Sequence, residues 1–195
     1  LTFISASCTR RADLSQASIT NIAPEQAMST ARTTIEQAQA ALDISLSYIK
    51  HLCLNETGRL SGSKLDDYQL VSYELAYSSA EIAAARAICD YADKIRSTKG
   101  ASQEMLYLEE DLALLFSAEA VQNTRNRFSA KLGEFGLSFE QFNKTLMNES
   151  SLAFCQTYLQ TQKLADMGRI MLEQKGRTAD YLLDEDKEIM RESFQ

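Results

Sequence analysis

Only 7 glycines and 1 proline punctuate this chain of 195 residues. Those two residue types supply most of the backbone conformations that tight turns need. A β-sandwich or barrel of this length would need many turns, so the scarcity points to long helices with few connections. Alanine, leucine, glutamate, glutamine, serine and lysine are well represented, and several of them are strong helix formers. The length suits one domain, or one domain with tails. At 45% hydrophobic the chain can bury a core.

Charge narrows the partners. Lysine plus arginine number 20 against 27 aspartate plus glutamate, a net charge of −7. Phosphate binding needs a clustered basic surface, so this balance disfavours nucleic acid. No apolar run reaches the ~18 residues of a membrane span, and a soluble protein is expected. The cysteines Cys8, Cys53, Cys89 and Cys155 lie far apart with no CxxC pair, and His51 is the only histidine. That set suits neither a disulfide framework nor a structural zinc site. Buried free thiols in a reducing cytoplasm are the expectation.

Periodicity divides the chain into three parts. Residues 1–27 lack a sustained pattern and read as a disordered tail, with Met28 a plausible start. The short apolar stretch Leu1 to Cys8 has its basic pair, Arg10 and Arg11, on the wrong side for a signal segment. Residues 28–176 read as an up-down four-helix bundle, since four long helices with short loops pack most economically that way. Pro24 suits a first helical turn. A helix is then expected from Glu25 to about Leu54, with Ile35, Ala38, Leu42, Leu46 and Ile49 on one face. A second runs from about Leu65 to Arg96, with Asp66 and Asp67 in its first turn and Tyr68, Val71, Leu75, Ile82, Cys89 and Ala92 as its stripe. Gly100 stops it and Ser102 caps a third, from Gln103 to about Leu132, ended by Gly133. Ser138 and Gln141 form a capping box for a short helix to about Met147. A fourth long helix spans Ser150 to Gln174, ended by Gly176. Residues 177–195 read as a linker and an opening helix capped by Asp184. That helix is still amphipathic at Gln195, as in a fragment of something longer.

No residue is assigned a catalytic, cofactor-binding or metal-binding role. Glu109, Glu110 and Asp111 are consecutive and point to different sides of a helix, so a solvated face is expected rather than a shared metal site. Asp184, Glu185 and Asp186 read as helix capping. Di-iron bundles use paired Glu-x-x-His motifs, which one histidine cannot supply. His51 falls in the last turn of its helix, where an imidazole gains from the dipole. No serine sits in a Gly-x-Ser-x-Gly elbow, and Gly133-Glu134-Phe135-Gly136 reads as a helix end rather than a phosphate loop. Tyr68, Tyr73, Tyr77 and Tyr91 share one helix and are expected in the core or at an interface.

The run Tyr77-Ser78-Ser79-Ala80-Glu81-Ile82-Ala83-Ala84-Ala85-Arg86 resembles a helix of the C-terminal domain of acyl-CoA dehydrogenases. Lys131 to Gly136 resembles the end of the helix that precedes that family's Gly-Gly-x-Gly turn, with Glu134 in place of the second glycine. Leu183 to Phe194 resembles the opening helix of a complete family member, an order similar to that of methylsuccinyl-CoA dehydrogenase-like enzymes. The family's arginine-rich flavin-binding segment is missing after Lys50. Glu149 falls near the position of a family carboxylate that removes the substrate's α-proton, but a surface or capping role is expected here. The resemblance implies an acyl-CoA dehydrogenase C-terminal-domain-like bundle. It would be a non-catalytic N-terminal module packed on the catalytic body of a cytoplasmic flavoenzyme, serving stability, substrate selection or assembly. FAD would sit in the parent enzyme and not in this chain. The alternative is a stand-alone bundle that binds itself or another protein through an exposed apolar or tyrosine-rich face. A bundle enzyme with an internal metal ranks last for want of histidine.

Overall fold

The computed structural model describes residues 24–97 and 103–176. The tail 1–23, the link at 98–102 and the segment 177–195, with Cys8, Gly100, Ser102, Asp184, Glu185 and Asp186, lie outside the described residues. The described residues are helical, with one isolated β-bridge between Leu54 and Leu60. The helices are α1 (Pro24–Leu52), α2 (Gly62–Asp67), α3 (Gln69–Ser97), α4 (Gln103–Ser129), α5 (Phe139–Thr145), α6 (Glu149–Tyr158) and α7 (Thr161–Glu173).

Side-chain pairs fix how the long helices run. Arg32 near the start of α1 meets Asp90 and Asp93 near the end of α3, at 2.7 and 2.5 Å, so α1 and α3 are antiparallel. Arg96 bonds Glu110, Glu81 bonds Arg127 and Glu74 bonds Lys131, which sets α3 antiparallel to α4. Arg125 with Ser151, and Cys155 with the Ala118 carbonyl, set α4 antiparallel to α6. The result is a helical bundle, and α1, α3, α4 and α6 share one core. Ile35, Leu42, Leu75, Ile82, Val121 and Phe128 are almost fully buried in it. Burying each such side chain contributes about 1.5–3 kcal/mol.

Several boundaries differ from the sequence reading. Helix α1 begins at Pro24, one residue before the expected Glu25, and Ala27 and Met28 are buried in the core. Leu46, expected in the core, is 44% exposed. The second helix is two. Ser61 accepts from the Lys64 amide and starts α2, which places Asp66 and Asp67 at its end rather than in a first turn. Tyr68 then closes α2 with amide bonds back to Leu65 and Asp66.

Helix α4 stops at Ser129, and Gly133 is not its left-handed cap; that conformation belongs to Gly58, Gly136, Gly176 and Lys175. Instead the chain turns so that Phe135, fully buried, stacks on Phe128 with ring centroids 4.2 Å apart. The fourth long helix is broken at Leu159 and Gln160, where the backbone of Gln160 turns extended. No glycine or proline marks that break.

The capping box of α5 is formed. Ser138 accepts from the Gln141 amide, and the Gln141 side chain accepts from the Ser138 amide. Ser138→Ala is therefore expected to cost about 1 kcal/mol, measurable as a lowered urea midpoint at unchanged slope.

Candidate functional site

Two features stand out, one buried and one exposed. The buried one is centred on Arg125 of α4, which is 5% exposed and makes no ion pair among the described residues. Its Nε donates to the Leu146 carbonyl at 2.7 Å, at the C-terminal end of α5. One terminal nitrogen donates to Gln122 at 2.6 Å. The other donates to the Ser151 hydroxyl at 2.8 Å and lies 3.7 Å from the Cys155 sulfur. A helix C-terminus carries partial negative charge, which suits a guanidinium. The cluster ties α4 to α5 and α6 through Nε and one terminal nitrogen, while the other nitrogen is held by Gln122 of α4 itself.

Burial holds two thiols in the protonated form. Burial pushes the Cys155 thiol up, and the nearby Arg125 charge opposes this only in part. Burial likewise raises Cys89, partly offset by its hydrogen bond with Ser117. Cys53, Cys89 and Cys155 are free and buried. Cys89 and Cys155 are therefore poor nucleophiles, since the thiolate is the reactive form.

The acidic run is not a solvated face. Glu109 and Glu110 are both buried, and Glu110 accepts from Arg96 at 2.8 and 2.5 Å. Asp111 is exposed. Consecutive helical residues fan out by about 100° each, and the packing of α4 turns Glu109 and Glu110 inward and Asp111 outward. Among the described residues, no three His, Cys, Asp or Glu side chains converge as metal ligands. His51 is exposed in the last turn of α1. Glu149 is exposed in the first turn of α6, where Asn148 caps and a carboxylate complements the dipole. Gly133, Glu134 and Gly136 form the turn that seats Phe135.

The exposed feature lies on α3. Residues three, four and seven apart share a helix face, which groups Tyr73, Ala76, Tyr77, Ala80, Ala83, Ala84 and Ala87. Tyr73 and Tyr77 are 60% and 47% exposed, with ring centroids 4.5 Å apart. Ala76, Ala80, Ala83 and Ala87 are exposed. No charged residue of α3 stands among these seven, while Arg127 of α4 lies over the Tyr77 ring, 5.9 Å from its centroid, and Asp90 follows Ala87 by one turn. Carboxylates beside it are already neutralised, Glu74 by Lys131 at 2.9 Å and Glu81 by Arg127 at 2.6 Å. The neighbouring Tyr77 hydroxyl holds the Tyr73 phenol above the usual tyrosine range, so it stays neutral. Tyr68 is half-buried at the end of α2, and Tyr91 is half-buried further along α3. The tyrosines were legible as core or interface residues; Tyr73 and Tyr77 belong to the surface.

Two hollows flank the start of α3. One, about 350 Å³, is apolar and lined by Leu46, Ile49, Cys53, Leu60, Leu65 and Leu75. The other, about 500 Å³, is lined by Tyr48, Asp66, Asp67, Tyr68, Leu70 and Glu134, with no basic side chain. Three carboxylates repel the phosphates of a nucleotide cofactor or a coenzyme A thioester. No helix of the described residues is long and apolar enough to cross a membrane. No family model, no curated protein and no solved structure matches the chain.

Proposed function

We propose that this chain is a non-catalytic helical module that works by docking, with the outward face of α3 as its contact surface. The observation that carries the reading is that exposed face of tyrosine and alanine, with no charged side chain among its seven residues. Exposed helix faces in water are normally rich in charge, and a contiguous apolar patch on a surface marks an interaction site. The buried polar groups point the same way, because Arg125, Glu110 and the thiols are committed to holding helices together.

The parent of such a module, on the resemblance carried by Tyr77–Arg86, Lys131–Gly136 and Leu183–Phe194, is an FAD-dependent acyl-CoA dehydrogenase-like enzyme. Its bundle would be like that family's C-terminal domain, and the module would serve assembly of the enzyme with the flavin held in the catalytic body. The test is the absorbance of the purified chain between roughly 350 and 500 nm after mixing with FAD and gel filtration, since bound flavin supplies the colour of such enzymes. Flavin eluting free, with no oxidation of an added acyl-CoA, is the expected result. Stoichiometric retained flavin with acyl-CoA oxidation would overturn the non-catalytic reading.

A further inference from the structure

We infer that the partner on the α3 face is a second copy of this chain, packed antiparallel about a twofold axis close to Ala80. This rests on the docking-module reading above and names its occupant. The argument is the uneven distribution of bulk along the face. Its N-terminal half carries the two exposed rings, Tyr73 and Tyr77, and its C-terminal half is Ala83, Ala84 and Ala87. A twofold near Ala80 lays the rings of each copy over the alanines of the other. Large then meets small at both ends, which is the self-complementarity an isologous interface requires. The spacing supports it as well. Tyr73, Ala80 and Ala87 recur every seven residues, and Ala76 and Ala83 do the same, the repeat that keeps a seam facing a partner helix.

Charge does not oppose the pairing. The Glu81–Arg127 and Glu74–Lys131 pairs beside the face are neutralised within each copy, and Arg127 lies over its own Tyr77 ring. A charged partner would instead leave its charges desolvated against tyrosine and alanine.

Area sets the strength. Aromatic side chains bury about 150–250 Å² each. Two rings exposed by 60% and 47%, with the exposed alanines, offer roughly 500 Å² per copy, or about 1,000 Å² in total, the lower limit of specific interfaces. Such a dimer should dissociate in the micromolar range or above, so it forms at high local concentration or inside a larger assembly.

Sedimentation of the purified chain over roughly 1–500 µM tests the inference, with Ala80→Arg as the comparison. Arginine is a good helix former and Ala80 is exposed, so the variant should fold, which its unchanged helical spectrum would verify. Expected is a concentration-dependent dimer whose dissociation constant rises at least about tenfold in the variant. In a Cys8→Ser background, Ala80→Cys should link to its own copy through a short bismaleimide. Ala87→Cys should not, because the two copies of that position lie roughly 20 Å apart along the axis. A monomer at every concentration overturns the pairing. So does a dimer indifferent to Ala80→Arg, which would place the contact on another face. Neither result involves flavin, so failure here is distinct from failure of the non-catalytic reading.

Discussion

Arg125→Ala is expected to destabilise the chain by roughly 3–5 kcal/mol. The substitution strips the donor from the Leu146 carbonyl, the Ser151 hydroxyl and Gln122 at once. Ser151 and Leu146 are both fully buried, leaving little access for replacement water. It also leaves a void where α4, α5 and α6 meet. For a domain of this size the loss corresponds to a melting temperature lower by about 10 °C. Arg125→Met separates the contributions, because it keeps much of the volume and removes a desolvated charge. If volume and charge burial dominate, Arg125→Met should fall much closer to the wild type than Arg125→Ala. Equal losses would assign the cost to the three severed hydrogen bonds. A melting curve for each variant decides this, and an Arg125→Ala protein as stable as the wild type would refute the role given to the cluster.

Gly136→Ala should cost about 3 kcal/mol or more, from two separate sources. Gly136 has φ of +66°, a region that costs an alanine roughly 1–2 kcal/mol. A Cβ there would also lie 2.2 Å from Cγ and 2.7 Å from Cβ of Tyr48. Those are the inner atoms of the tyrosine, close to the α1 backbone, so a rotamer change cannot clear them all. The clash forces apart α1 and the turn that seats Phe135 on Phe128. Adding Tyr48→Ala removes the ring contacts but keeps the Cβ contact at 2.7 Å, so it should recover much of the steric part and leave the backbone part, and the double variant should be more stable than Gly136→Ala alone. Urea unfolding of the three variants checks this non-additivity.

How much of this was legible follows from where the signals lie. Scarce glycine and proline, with the three- and four-residue spacing of Ile35, Ala38 and Leu42, point to long helices, and those residues are buried. The Ser138 box announces α5 because its chemistry is local. The division at Leu159 and Gln160 carries no local breaker, and Gln160 offers no side-chain cap; packing decides it. Three consecutive carboxylates point to a solvated face, yet Arg96 reaches Glu110 from another helix. Arg125 was missed for the same reason. An isolated arginine in a helix gives no sign that Leu146 and Ser151, from later segments, will close on it. The α3 face was half legible, since its tyrosines and alanines could be seen to share a helix, but only the bundle shows which side remains uncovered.

The most direct measurement of the central claim uses the absence of tryptophan, of which the chain has 0. Tyr73→Trp places a single fluorescent reporter at the exposed end of the α3 face. If that face is the docking surface, emission should be solvent-like in dilute solution and shift to the blue as the chain is concentrated across roughly 1–500 µM, the range a small interface supports. The shift should vanish when Ala80→Arg is added. Emission that stays solvent-like at every concentration would contradict the account.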